Sequence, residues 1–308
     1  MAMIAPVRRA RRRNFSIARM EARYAPIFLL PAFGLLALFQ FYPMISGLIL
    51  SAYDWNGFAE RVFVGLGNYR EAFYDANLRQ ALWNTLYYVL GSMPVSLALS
   101  MLFAALMNMK MRGTTFFRAV YYLPAITSGV AIAMIWRSIF NTDFGLLNTT
   151  LYRMGFKAMI PWLNSSAYSM PALIIMSVWK GLGPNIIMTL AGLQSVPYTL
   201  YESADIDGAG AWAQFIHITM PMVSPTIFLM LVMNTISSFQ IFDTVAAMTK
   251  GGPGNSTLVV VYYIYRVAFD NFRMGYASAM AFMLFAIILA ITGVQWVVKR
   301  KWVYSETE

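Results

Sequence analysis

Cysteine is absent from the 308 residues. That removes disulfides, thiol nucleophiles and thiolate metal sites together. Histidine occurs once, at 217, too few for zinc chemistry built on imidazoles. Charge is also scarce, at 12% of residues, while 59% are hydrophobic and mean hydropathy is +0.58. A soluble domain cannot hide that much apolar surface, so the composition specifies an integral membrane protein. The net charge of +10 would suit nucleic acid, but basic residues gather at the cytoplasmic loops of membrane proteins, and that reading is preferred. No nucleic-acid partner is expected. A Gly-Lys-Ser/Thr phosphate loop is missing as well: the glycines of Gly251-Gly252-Pro253-Gly254-Asn255 signal a turn rather than a nucleotide cradle. Any ATP would be hydrolysed by another subunit.

Six stretches reach the roughly 20 apolar residues a membrane span needs: 25–52, 83–107, 119–140, 171–193, 222–242 and 276–298. The fold expectation is therefore an all-α integral membrane protein with six transmembrane helices. Residues 1–24 form a basic tail with seven arginines against Glu21. The 28-residue run that follows lacks the short core and cleavage site of a signal peptide, so it reads as a retained first span. Membrane anchoring explains the arginines. The N-terminal tail, the 108–118 loop and the 299–308 tail carry thirteen lysines and arginines; the three longer loops, 53–82, 141–170 and 243–275, carry eight. Positive charge marks the cytoplasmic side, so both termini are expected inside. The 194–221 loop falls on the same side, although it has no lysine or arginine of its own. The domain reading is a tail at 1–24, a six-span transmembrane domain at 25–298 and a tail at 299–308. Loop 141–170, with Trp162 and Tyr168, is expected to hold short interfacial helices.

The spans contain two basic residues, Arg137 and Lys180, and no acid. Arg137 lies near a span end, where it can snorkel to water. Lys180 lies deeper, and Gly181-Leu182-Gly183-Pro184-Asn185 after it should break or kink the helix. Transporters place substrate sites beside such breaks. Trp179, Lys180 and Asn185 are therefore candidates to line a translocation path; the alternative is a packing kink with Lys180 reaching a neighbouring subunit. Asn234, Ser237, Ser238, Phe239, Gln240 and Asp243 cluster in less than three turns. Amides and hydroxyls beside an aromatic suit a sugar ring, although polar residues also join membrane helices. Asn84 and Thr85, at the start of the second stretch, read as helix-end capping groups. The scattered methionines read as filler.

Residues 197–225 are the one long polar segment with a helical pattern. Glu202, Asp205 and Asp207 fall early in it, where a helix N-terminus favours negative charge. Gly208 and Gly210 interrupt it, giving helix, sharp turn, helix, and Pro221 opens the next apolar run. Tyr198, Tyr201, Phe215 and Ile218 are its apolar contacts, and His217 reads as structural. Glu202-Ser203-Ala204, Asp207-Gly208-Ala209, Phe215, Ile218, Pro221 and Pro225 resemble the EAA loop of ATP-binding-cassette import permeases, departing at Ser203 and Met220, where that family favours Ala and Leu. Residues 117–148 and 251–269 resemble the carbohydrate-uptake branch of that family, the maltose- and glycerol-phosphate-type permeases.

The resemblance implies that the loop, between helices 4 and 5, is a coupling helix seated on a cytoplasmic ATPase dimer, with Glu202 meeting basic or polar groups there. It implies further partners: a second, different permease and an extracytoplasmic solute-binding protein. The setting is a bacterial or archaeal inner membrane, and there is no cofactor. Transport would proceed by alternating access, and the cationic Lys180 would suit an anionic cargo. Two other classes need residues of their own. An ion-coupled secondary transporter needs membrane-embedded carboxylates, and an intramembrane enzyme needs a nucleophile–base or metal constellation. Neither is found in the spans.

Overall fold

The computed structural model describes Tyr24, residues 26–109 and residues 113–304. The arginine tail, the centre of the 108–118 loop and the last four residues lie outside the described residues. The chain begins with α1, Pro26–Leu50, an apolar helix whose 18-residue core buries nothing within the chain. Tyr53–Asp54 (β1) then pairs antiparallel with Val62–Phe63 (β2), Tyr53 opposite Phe63. This small hairpin departs from the all-α expectation. It forms because Asn56 Oδ1 accepts the amides of Phe58 and Ala59 and turns the chain back.

After α2 (Gly67–Tyr74) comes α3, Ala76–Asn108, which starts well before the expected residue 83. Asp75 caps it, its carboxylate accepting the amides of Asn77 and Leu78. Asn84 and Thr85 therefore sit inside the helix rather than at its end. They serve the 251–260 loop instead: Asn84 Nδ2 donates to the carbonyls of Asn255 and Leu258, and Thr85 Oγ1 accepts the amide of Val260. Positive φ at Gly251, Gly254 and Asn255 forms the turn that the sequence signals there.

Asp75 is also a hub. It accepts the hydroxyls of Tyr263 and Tyr276, beside the bidentate pair of Arg273 with Glu71. Burial pushes the Asp75 carboxyl up, but the two tyrosine hydroxyls and the capping amides outweigh it, and its pKa ends below the usual carboxylate value.

The third apolar stretch is not one helix. α4 (Thr114–Ile126) and α5 (Gly129–Ile139) meet at an angle of 101°, because Thr127 is extended and Ser128 after it is also non-helical. Conversely, the fourth is not broken. α7 runs from Ser169 to Gln194 with Pro184 inside it. Its glycines serve contact: a Cβ on Gly183 would strike the carbonyl of Tyr121, so α4 lies directly against α7 there. α6 (Leu146–Arg153) is the short helix expected in the 141–170 loop. Its Asn148 ties the loop together, accepting Trp162 Nε1–H and donating to the carbonyls of Thr142 and Ile160.

α8 (Tyr198–Ile206) leads through a tight turn to α9, Ala211–Phe239, which contains a π turn at Phe215–Thr219 just before Pro221. Short helices α10 (Asp243–Met248) and α11 (Val260–Tyr265) precede α12 (Met274–Lys299). Among the described residues, five helices are long and apolar enough to cross a membrane, or six if the bent α4–α5 pair is one span. Two cores hold the bundle. The larger joins α3, α5, α7, α10, α11 and α12 around Phe140, Leu173, Met176, Val245 and Met280. The smaller joins α3, α7 and the start of α9 around Leu182, Ile186 and Val223.

Candidate functional site

The polar residues from the middle of the bundle meet in one cavity of about 450 Å³ between α7, the C-terminal end of α9 and α10. Lys180 enters from α7; Asn234, Ser237 and Ser238 line it from α9, and Gln240 from the position just past its end. Asp243 closes it as the first residue of α10, where the chain has turned sharply through 240–242. Ala125, just before the break in the third stretch, reaches the same cavity. Polar groups that can donate and accept in several directions thus converge on one partly open space, the usual form of a small-molecule site.

Not every candidate from the sequence faces that space. Asn185 lies behind the wall, buried, in a reciprocal amide pair with Asn234: Asn234 Nδ2 donates at 3.1 Å to Asn185 Oδ1, and Asn185 Nδ2 donates at 3.3 Å in return. A second bond at 2.9 Å fixes Asn185 to Ser96 of α3. The pair holds α3, α7 and α9 in register and orients Asn234. Phe239 is buried in the larger core, on the far side of the α9 helix end. Trp179 stands against Trp136 with ring centroids 5.4 Å apart and is half exposed, away from the cavity. Periodicity explains this: neighbours along a helix point about 100° apart, so Trp179 and Lys180 cannot share a face. Arg137 lines a different cavity, with Asn141, Thr142 and Asn164.

The second constellation is the α8 turn. Asp207 ends α8, and Gly208 takes φ +73°, a left-handed conformation that glycine adopts without a Cβ penalty. The amides of Gly208 and Ala209 donate back to the carbonyls of Asp205 and Ala204. Gln214 locks the two helices, its Nε2 donating at 2.6 Å to Asp205 Oδ1 and at 3.1 Å to the Ala209 carbonyl. Glu202, Ser203, Asp207 and Gly208 are exposed, while Ala204 and Ala209 are half-buried.

The acids are not at a helix start. α8 begins at Tyr198, with no acidic residue in its first turn. Glu202 therefore sits at its centre, and Asp205 lies in its last turn with Asp207 just beyond, where the helix dipole disfavours negative charge. Tyr201 and Ile218 pack against the bundle, Tyr201 hydrogen-bonding Thr219. Tyr198, Ile206 and Trp212 stay open, Ile206 at 88% exposure. Ile206 and Trp212 are the most exposed apolar side chains of the turn and were not picked out from the sequence. The signal was an isoleucine beside Asp207-Gly208, at the very tip of the turn. His217 Nδ1 lies 3.0 Å from the Ala213 carbonyl one turn back.

Several long apolar helices, a polar cavity at mid-bundle and a protruding acidic helix turn define a multi-pass membrane transport component. The chain belongs to the family described as binding-protein-dependent transport system inner membrane component, whose model matches residues 96–304. It is a permease subunit of the inner membrane, not itself an enzyme. It is 36% identical to "Probable ABC transporter permease protein YesP" of Bacillus subtilis (strain 168), over 88% of each chain. It is 32% identical to the lactose transport system permease protein LacF of Rhizobium radiobacter, over 89% of this chain and 93% of that one. Its fold matches a chain of a bacterial alginate ABC transporter, solved with an alginate pentasaccharide-bound periplasmic protein. That match has TM-score 0.79 at 24% identity and covers 93% of this chain and 96% of the other.

Proposed function

We propose that the chain is one of two different permeases in an ATP-driven importer of a carbohydrate or carbohydrate-like solute. A separate ATPase dimer would power it, and an extracytoplasmic binding protein would deliver the cargo. In this reading the bent α4–α5 pair counts as one span of six. Residues 25–298 are the span domain, and the basic tails at 1–24 and 299–308 lie in the cytoplasm with the α8 turn. The first helix rests on α12 only along its C-terminal turns, where Gly47 lies against Phe282; the rest of it faces lipid or the second permease.

The α8 turn is the coupling element, and one observation carries that assignment. Glu202 is exposed, and Asp205 and Asp207 are exposed against the helix dipole, beside the uncovered Ile206 and Trp212, on a turn braced internally by Gln214. A solvated surface turn has no need of that combination; a docking surface for a protein with basic and apolar groups does. Ser203, Ala204 and Ala209 keep the helix slim and the turn closed. When ATP binding draws the ATPase subunits together, a rigid turn transmits the displacement to α9, which is continuous with it, and so to the cavity. There Lys180, Asn234, Gln240 and Asp243 line the path.

The test uses the assembled transporter in proteoliposomes, with Glu202→Lys and, separately, Gly208→Leu. Binding-protein-stimulated ATP hydrolysis and solute uptake should both fall at least about tenfold with insertion unchanged. The change would follow from a reversed charge at the interface or a strained left-handed residue. Undiminished uptake in both variants, above all uptake driven by an ion gradient without ATP, would remove the coupling assignment.

A further inference from the structure

Two opposite charges face each other across the cavity without forming an ion pair. The only ion pair within 4.0 Å among the described residues is Arg273 with Glu71. Yet the Lys180 ammonium and the Asp243 carboxylate both crowd Gly129, the first residue of α5 after the break. A Cβ there would lie 2.8 Å from Lys180 Nζ and 3.1 Å from Asp243 Oδ2, so no more than about 6 Å separates the two charges. Gly129 is what allows both to approach. No other charged side chain lines this cavity among the described residues.

Taken alone, Lys180 suits an acidic cargo. Its neighbour changes that. A carboxylate bound at the ammonium would sit within a few ångströms of Asp243, and like charges at that range repel about as strongly as the opposite pair attracts. A hydroxyl has no such conflict. It can donate to the carboxylate and accept from the ammonium, and two adjacent hydroxyls can span the gap. We infer that Lys180 and Asp243 form a charge-balanced clamp around Gly129 that accepts uncharged vicinal hydroxyls and turns acidic saccharides away, with Asp243 as the residue that sets this selectivity. The inference rests on the cavity being the saccharide path. Asn234, oriented by the buried Asn185, supplies further uncharged hydrogen bonds beside the clamp.

The experiment measures thermal stabilisation of the purified permease–ATPase complex, with the binding protein omitted so that its own selectivity does not enter. The probes are lactose, maltose and cellobiose, each against the same disaccharide oxidised at C6′ to a uronate. Wild type should prefer the neutral member. Asp243→Asn should shift the ratio of apparent affinities toward the uronate by roughly tenfold, a modest value for one charge a few ångströms away in a partly wet cavity. Lys180→Met should make the bias against uronates stronger. Lys180→Met with Asp243→Asn is uncharged again and should return near the wild-type ratio, which a merely damaged cavity would not do.

A wild-type preference for uronates overturns the clamp, as does a ratio unmoved by Asp243→Asn. If none of the six sugars stabilises wild type while nucleotide still does, the saccharide reading of the cavity fails, and the clamp fails with it.

Discussion

The third and fourth apolar stretches carry similar helix-breaking residues and do opposite things. Residues 114–139 contain Pro124 and Gly129 and turn through 101°. Residues 169–194 contain Gly181, Gly183 and Pro184 and continue as one helix. Proline therefore does not decide where a membrane helix breaks. In α7 the missing amide of Pro184 leaves only the Lys180 carbonyl without its bond, a modest loss that packing on both sides offsets. In the third stretch the break falls three residues after Pro124, at two residues with no glycine or proline between them. It is fixed from outside. α5 packs along α10, with Gly129 fitted beneath Lys180 and Asp243, and α4 packs on α7 at Gly183. Two surfaces at a steep angle hold the two halves apart.

The largest predicted effect follows from that second contact. Gly183→Leu would drive a side chain into the Tyr121 backbone, which cannot swing aside as a side chain can. Overpacking against flexible neighbours costs about 1–3 kcal/mol; here the loss should be at the upper end or beyond. The assembled complex should fall below detection by size-exclusion chromatography after extraction. Gly34→Leu, in α1 with nothing within 4 Å of a new Cβ, is the control and should extract normally. Equal recovery of both would mean that α4 does not rest on α7.

That contrast also marks what was legible in the sequence. The Asp207-Gly208 turn and the 251–255 turn follow from local chemistry and stand where the residues put them, and the apolar runs mark the long helices but not their ends or the bend in the third. The polar cluster at 234–243 and Lys180 were visible for the same reason, since polar groups in an apolar run are conspicuous. Tertiary facts were not visible. Thr127 and Ser128 have no strong local preference for the extended backbone, so nothing in them announces a break. Asn84 looked like a cap because the apolar run starts beside it, whereas the helix starts at polar residues capped by Asp75. Phe239 and Trp179 adjoin polar neighbours in sequence, but helical geometry sends them to other faces. The acids of α8 read as a helix start because the local pattern begins near them, whereas the helix starts at Tyr198, after Pro197.

The second prediction, smaller, concerns what keeps α7 unbroken after Pro184. Asn185 and Asn234 exchange amide hydrogen bonds, so deleting Asn234 leaves the buried Asn185 Oδ1 unpartnered, whereas deleting Asn185 strips a bond from Asn234, which keeps its bond to the Met230 carbonyl. Such a loss costs about 1–3 kcal/mol in water-soluble cores and averages nearer 0.6 kcal/mol between membrane helices. Asn185→Ala and Asn234→Ala should each lower stability by about 1 kcal/mol in denaturant unfolding of the purified complex. The double variant should cost less than the sum of the two, because the second deletion removes the stranded partner. Strict additivity would mean that the two amides do not meet.

The smallest effect is expected at Pro124. If the break between α4 and α5 were made by that proline, Pro124→Ala should straighten the segment. If the flanking surfaces make it, the angle should stay and stability should change by less than about 1 kcal/mol, since the alanine only restores one intrahelical bond. The absence of cysteine makes this measurable without background labelling. Cysteines at Phe116 and Ser138 carry spin labels at the far ends of the two helices, both at exposed positions. A straight helix would separate those positions by about 33 Å, and the bent pair brings them to about 20 Å. The distance distribution should centre near the shorter value in the parent and remain there in Pro124→Ala. A move toward the longer one would return the break to local sequence and remove the distinction between the two stretches.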